Sequence, residues 1–199
     1  MTLTEVLSVT QARRGWVVVR LEGEKLLIPL ETAEASEVVP GAFIDADALR
    51  DEAEGPQLSD AKRYTNRYLA LSERSSGQLA AKLRERGYLP GVVTGCMAWA
   101  HEYGLIDDLR YARAFAACHT LGRAGLKARL RGKGVEESAI TTVLSEKPDS
   151  ESTASLAALV KRKYGGIPDR ETARRRAAGW LLRRGFPAGL IAAVLEKAL

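Results

Sequence analysis

The stretch that decides the fold is LAAKLRERGYLPGVV, Leu79 to Val93, because the chain repeats it twice. It returns as LKARLRGKGVEESAI at Leu126 to Ile140, 47 positions on, and as AAGWLLRRGFPAGLI at Ala177 to Ile191, a further 51 positions on. In this register Leu83, Leu130 and Leu181 coincide, as do Gly87, Gly134 and Gly185, then Tyr88, Val135 and Phe186, and finally Val93, Ile140 and Ile191. So many agreements in one register mark a tandem array of one supersecondary unit. Each unit resolves into three short helices. In the first, Lys62 to Arg74 forms helix one, Ser75-Ser76 opens helix two through Arg86, and Pro90 opens helix three through Tyr103. The glycine after helix two is expected in the left-handed region, where a side chain would clash with the backbone. In the second unit Asp107-Asp108 caps helix one, Gly122 and Gly125 introduce helix two, and Glu136-Glu137 put negative charge at the start of helix three. The third follows Lys147-Pro148-Asp149-Ser150, a linker by composition, with helices near 151–164, 169–184 and 187–198.

Upstream of the repeats the pattern changes. Val6-Leu7-Ser8-Val9, Trp16-Val17-Val18-Val19-Arg20-Leu21 and Lys25-Leu26-Leu27-Ile28-Pro29-Leu30 are β-branched and aliphatic runs, with Glu22-Gly23-Glu24 as a hairpin turn between the last two. They predict a small antiparallel meander. Pro40-Gly41 marks another turn, and Asp45 or Asp47 caps a short helix that ends near Gly55-Pro56. The fold expected is therefore mainly α: tandem three-helix repeats in an elongated, curved array with a small N-terminal β-rich module. The boundaries expected are 1–55 for that module and 58–105, 106–148 and 149–199 for the three repeats.

Composition agrees with this class. A chain of 199 residues with 46% hydrophobic and 28% charged residues has the make-up of a folded protein, and 6% aromatic residues argue against a β-sandwich throughout. No run approaches the ~20 apolar residues of a membrane span. The start, Met1-Thr2-Leu3-Thr4-Glu5, lacks a basic and then apolar signal, so a cytoplasmic location with no membrane partner is expected. Two cysteines, Cys96 and Cys118, make no C-x-x-C pair and no disulfide framework.

Charge is distributed unevenly. Residues 1–60 hold five Lys/Arg against twelve Asp/Glu, a net of −7, whereas residues 61–199 hold 25 against 13, a net of +12. Leu109 to Lys133 carries Arg110, Arg113, Arg123, Lys127, Arg129, Arg131 and Lys133 with no acid at all, and Lys161 to Arg184 carries nine bases against Asp169 and Glu171. Such a field attracts polyanions or an acidic protein surface. Arg123, Lys127 and Arg131 recur at four-residue spacing on helix two, a stripe suited to a phosphate backbone. Arg86, Lys133 and Arg184 share a register just before the glycine, where a cation complements a helix C-terminus.

Catalytic motifs are missing from the sequence. It has no phosphate-binding G-x-x-x-x-G-K, no G-x-G-x-x-G, no H-E-x-x-H and no G-x-S-x-G, so no catalytic residue, cofactor or nucleotide cycle is expected. Cys96, His101, Cys118 and His119 are the nearest metal candidates. Cys96, however, falls in register with the core-type Val143 and Val194, and neighbours such as Cys118 and His119 point ~100° apart on a helix. Tyr64 and Tyr68 recur as Tyr111 and Phe115 beside Arg63 and Arg110. Such aromatics can stack on unpaired bases, but the spacing also makes a core stripe, and core packing is the preferred reading.

RYLALSERSSGQLAAKLRERGY at Arg67 to Tyr88, YGLIDDLRYARAF at Tyr103 to Phe115 and GRAGLKARLRGKGVEESAI at Gly122 to Ile140 together resemble the RecX family of recombination regulators, over about residues 58–199. The resemblance implies an all-helical repeat protein that binds the RecA recombinase filament and inhibits its recombination, ATP-hydrolysing and co-protease activities, and that also binds single- and double-stranded DNA without sequence preference. It therefore implies a role in homologous recombination, DNA repair and the SOS response. The chain departs from the family pattern in its β-rich residues 1–55 and in its third repeat, where Trp180 and Leu182 stand in the register of Arg129 and Arg131. The binding residues expected are Arg63, Arg67, Arg74, Arg110, Arg113, Arg123, Lys127, Arg129, Arg131, Lys133, Lys161, Arg162 and Lys163, on a monomer. The alternative from the same charge pattern is a stand-alone helical transcription regulator, although such proteins usually carry one reading helix per subunit and dimerise. The array expectation is checked by small-angle scattering: an extended array gives a radius of gyration clearly above the ~16 Å of a globule of this length.

Overall fold

A computed structural model describes residues 3–146 and 153–199 of the chain. The linker expected at Lys147 to Ser150 lies outside the described residues. Two compact units are present, residues 1–107 and 108–199.

The first unit begins with a four-stranded antiparallel sheet in the order β3-β2-β1-β4, built from β1 (Leu3–Arg13), β2 (Trp16–Leu21), β3 (Glu24–Pro29) and β4 (Phe43–Asp45). Gly15 and Gly23 make the two hairpin turns at φ +73° and +83°. The meander is as expected. The fourth strand and the short helix α1 (Leu30–Ala35) were not legible in the sequence, because three residues and six residues are too short to display a period.

Alternation along β2 and β3 shows why the sheet is not an isolated module. Val17, Val19, Leu21, Leu26 and Ile28 point into one core with Val6, Ala33, Leu49 and Ala53. Trp16, Val18 and Leu27 point the other way, into a core with Leu79, Leu83, Tyr88, Val92 and Cys96 of the first repeat. Both faces of this hairpin are therefore covered, which explains a run of four apolar residues without polar interruption.

Helix α2 (Ala46–Leu71) corrects the sequence expectation most clearly. The short helix ending at Gly55-Pro56 and the helix starting at Lys62 are one continuous 26-residue helix. Of the two caps expected, Asp45 and Asp47, it is Asp45 that caps it, accepting from the N–H groups of Asp47 at 3.1 Å and Ala48 at 3.3 Å. A proline inside a helix costs about 3 kcal/mol, and its ring disfavours the helical turn before it. Pro56 nevertheless sits on the solvent side, while Leu49, Ala53, Gln57, Ala61 and Thr65 bury one face at three- and four-residue spacing. Gln57, fully buried, donates to the Leu27 carbonyl at 2.5 Å and accepts from the Leu89 N–H at 2.8 Å, joining strand β3 to the first repeat.

After α2 the first repeat continues with α3 (Ser76–Glu85) and α4 (Pro90–Glu102). Ser75 and Gln78 form a reciprocal capping box, and Pro90 occupies the first turn of α4. The second unit contains α5 (Asp108–Cys118), α6 (Arg123–Gly132) and α7 (Glu137–Glu146), then α8 (Thr153–Tyr164), α9 (Arg170–Arg183) and α10 (Ala188–Ala198). Each triplet encloses its own core, centred on Leu126, Leu130 and Ile140 in one and on Val160, Leu181 and Val194 in the other. Gly87, Gly134 and Gly185 have φ of +84°, +70° and +76°, the left-handed values that the repeat register demands. Asp108 is buried and accepts from the Glu136 N–H at 2.7 Å, so it caps the third helix of its repeat as well as opening the first.

A polar cluster lies between sheet and repeat in the first unit. Arg13 donates to Asp60 at 2.7 Å and to the Tyr88 hydroxyl at 3.2 Å, and Tyr88 donates to Asp60 at 2.5 Å. Burial acts to raise the Asp60 pKa, but the hydrogen bonds from Tyr88 and Arg13 and the charges of Arg13 and Arg63 outweigh it and hold it below its ordinary 3.8. Burial and the Asp60 carboxylate push Tyr88 up to about 12. The unfolded chain binds the Asp60 proton more tightly, so this contribution to stability is full above pH 3.8 and drains as pH falls through the depressed folded-state value. Tyr88 contributes below pH 10 and loses its contribution as pH rises through about 12. Asp60→Asn should destabilise the folded chain by about 1–3 kcal/mol at neutral pH. The difference from wild type should shrink under acid, as urea unfolding across a pH series would report.

Candidate functional site

Within the second unit, helix α6 starts against the end of helix α9. The Gly122 N–H donates to the Arg184 carbonyl at 2.9 Å, so a carbonyl at the negative end of α9 satisfies a donor at the positive end of α6. The backbones meet so closely that a Cβ on Gly125 would lie 2.0 Å from the Arg184 carbonyl oxygen, and one on Gly185 would lie 2.0 Å from the Gly125 nitrogen. The Arg184 guanidinium reaches across to the Thr120 carbonyl at 2.7 Å. Gly122 and Gly125 thus do more than open a helix: they admit the neighbouring repeat.

This joint forms a cleft of about 440 Å³ lined by Phe115, His119, Leu121, Arg129, Lys133, Trp180, Arg183 and Arg184. A second cleft of about 520 Å³ shares His119, Trp180 and Arg184 with it and adds Arg162 and Lys163. Six cations line the pair of clefts, and among the described residues no carboxylate does. Aromatic rings alternate with them. Phe115 stacks on His119 at 4.0 Å between centroids, with His119 Nδ1 donating to the Phe115 carbonyl at 2.8 Å, and the Lys133 ammonium lies 5.5 Å from the Phe115 ring. The Arg184 guanidinium lies 4.3 Å and the Lys163 ammonium 5.1 Å from the Trp180 ring centroid.

The expected binding residues divide accordingly. Arg129, Lys133, Arg162 and Lys163 converge on the clefts. Lys127 and Arg131 do not present an acid-free stripe: Glu137, from α7, accepts from Arg131 Nε at 2.8 Å and Nη2 at 2.6 Å and lies 3.4 Å from Lys127. The Glu137 carboxyl is held below its ordinary range by these partners, Arg131 foremost. Arg113 likewise donates to Glu146, with its Nε at 3.0 Å. Arg110, Arg123 and Lys161 are exposed on α5, α6 and α8. In the first unit Arg63 and Arg67 are exposed, Arg63 pairing with Asp60 at 3.2 Å, and half-buried Arg74 lies 5.1 Å from the Tyr68 ring.

Sequence reasoning missed Trp180, Arg183, Arg184, Phe115 and His119 as members of one site. The sequence marks Trp180 only as a departure from the repeat, yet its register partner Arg129 lines the same cleft, as do the register partners Lys133 and Arg184. The cation before the glycine is more than a helix-end charge: Arg86, Lys133 and Arg184 lie 4.1, 5.5 and 4.3 Å from the rings of Tyr64, Phe115 and Trp180. Tyr64, Tyr68, Tyr111 and Phe115 border the cores, half-buried, as the preferred reading had them. Of the metal candidates, Cys96 is buried in the core beside Thr65 Oγ1 at 3.3 Å, with burial raising its thiol pKa, and Cys118 is exposed. No group of three or more His, Cys, Asp or Glu is placed to hold a metal among the described residues. No helix among them is long and apolar enough to cross a membrane.

Residues 149–195 match the family model for the third three-helix domain of RecX. A regulatory protein RecX of Amycolatopsis mediterranei is 32% identical over 146 residues, covering 70% of this chain and 83% of that protein. The chain belongs to the RecX family. A regulatory protein RecX of Streptomyces coelicolor is 30% identical over 166 residues, 80% of this chain and 88% of its own length. Among solved structures, a crystal structure of regulatory protein RecX superposes with a TM-score of 0.59 at 21% identity over 97% of this chain and 99% of that one, a likeness of fold. The residues 1–55 that the sequence resemblance left out are thus within the span of a RecX fold. In this RecX-family regulator Arg129, Lys133, Arg183 and Arg184 line a cleft where the second and third repeats join.

The joint makes a direct prediction. Gly125→Ala should destabilise the chain by about 1–3 kcal/mol through overpacking. Gly189→Ala, in α10 with open space around it, should stabilise by about 0.4–1 kcal/mol through the unfolded state. Thermal unfolding of the two variants should therefore move in opposite directions.

Proposed function

We propose that this RecX-family chain is a negative regulator of the RecA recombinase. In this reading it binds along or caps the RecA–DNA filament as a monomer in the cytoplasm, inhibits strand exchange, ATP hydrolysis and co-protease activity, and performs no chemistry of its own. It also binds single- and double-stranded DNA without sequence preference. The observation that carries the reading is the convergence of Arg129, Lys133, Arg162, Lys163, Arg183 and Arg184, from two repeats, on adjoining clefts with no carboxylate in the lining among the described residues. Its membership of the RecX family, together with the filament binding that the sequence resemblance implies, supports the filament as the polyanion-bearing partner. With no phosphate-binding loop in the sequence, regulation works by binding one filament state in preference to another. The remaining exposed cations, Arg63, Arg67, Arg110, Arg123 and Lys161, extend the contact along the repeats.

Titrating the chain into the cognate recombinase on single-stranded DNA should suppress ATP hydrolysis, and suppression should weaken steeply as salt rises, because several Lys/Arg release counterions from the DNA. Charge reversal at Lys127 and Arg131 should weaken binding without unfolding the chain. Glu137→Gln should strengthen it, since those two cations lose their competing carboxylate. Tight preference for one duplex sequence, with no effect on recombinase ATP hydrolysis, would refute the proposal in favour of a transcription regulator.

A further inference from the structure

Resting on the DNA-binding part of that reading, we infer that the joined clefts between the second and third repeats seat an unpaired nucleotide of a single-stranded polynucleotide, with its base against Trp180 and its phosphates on Arg129, Arg183 and Arg162. Three observations point the same way. Among the described residues the lining holds no acid and is cationic on both sides of Trp180, which suits a chain with a phosphate on each flank of a base. Two planar groups, Trp180 and the Phe115–His119 stack, stand in one cleft, and a base offers a π-face to such groups only when it is unpaired and unstacked. The site is also braced: Arg184, stacked on Trp180, is tied to the Thr120 carbonyl, and the glycine joint fixes α6 against α9, so little ordering is left for the ligand to impose.

An acidic protein surface would be matched by the cations alone and gives no role to the aromatic walls. A duplex hides its base faces in the stack. The register supports a specialised site as well, since Trp180 stands where the second repeat carries Arg129, and this exchange supplies an indole to a cleft that keeps its cations.

The test uses the full chain labelled with fluorotryptophan, whose three tryptophans are Trp16, Trp99 and Trp180, with the Trp180 fluorine resonance assigned by Trp180→Phe. A short oligothymidylate should shift the Trp180 resonance and leave those of Trp16 and Trp99 in place. An abasic oligomer of equal charge should bind more weakly and shift it far less. Trp180→Leu should weaken oligothymidylate binding by about 10-fold and leave abasic binding nearly unchanged. An equal shift with the abasic oligomer, an unmoved Trp180 while oligothymidylate binds, or the same shift with a polyglutamate peptide would each overturn the inference. Recombinase ATP hydrolysis is measured on the same preparation. If suppression persists while Trp180 stays silent, the cleft assignment fails alone; if suppression is absent too, the proposed function fails with it.

Discussion

The left-handed glycine that ends the second helix of every repeat is the constraint on which the rest depends. At Gly87, Gly134 and Gly185 the chain must leave one helix and re-enter the next within a few residues, and only a residue without a Cβ reverses direction there cheaply. Around each turn the same parts recur: a cation at the helix end lying over an aromatic ring, a large apolar residue right after the glycine, and a leucine four residues before it at the centre of the core. At Gly185 the constraint does a second job. The missing side chain leaves room for the backbone of Gly125, so the turn of one repeat becomes the seat for the first turn of another.

Electrostatics follows from that seat. Two helix ends of opposite polarity meet, each satisfying the other's open backbone groups, and the cations that follow α6 and α9 are brought to one place. Like charges brought together this way repel, and what holds them is geometry already fixed by packing: Arg184 on the Thr120 carbonyl and on Trp180, Lys133 over Phe115. Elsewhere on the same unit the chain neutralises its cations with acids, as Glu137 does for Lys127 and Arg131 and Glu146 does for Arg113. Acids meet the cations of the α6–α7 face, whereas cations from two repeats converge on the clefts with no carboxylate in the lining among the described residues.

The first unit solves a different problem. A four-stranded sheet with a two-sided hairpin has more apolar surface than α1 and the start of α2 can cover. The first repeat covers the remainder, with Gln57 and the Arg13–Asp60–Tyr88 cluster satisfying the polar groups caught between. The cost of Pro56 inside α2 is offset by this burial along the helix on either side of it.

Sequence alone determined the repeat register, the three helices of each repeat, a cap at Asp45 or Asp47, the start of α3 at Ser75, the opening of α4 at Pro90, the glycine turns and the core positions of Leu83, Leu130, Leu181, Cys96, Val143 and Val194, because these depend on interactions within a few residues or on a pattern repeated three times. It also placed the acidic first 60 residues and the basic remainder of the chain. The continuity of α2 through Pro56 was not legible there, since a local helix-breaking signal is overridden only by distant packing. Nor was the pairing of Glu137 with the α6 stripe, because spacing along one helix says nothing of the acid on the next. The assembly of Trp180, Phe115, His119 and Arg184 into one cleft was decided by tertiary structure alone: those residues are drawn from two repeats, and only the close approach of Gly125 and Gly185 in space brings them together.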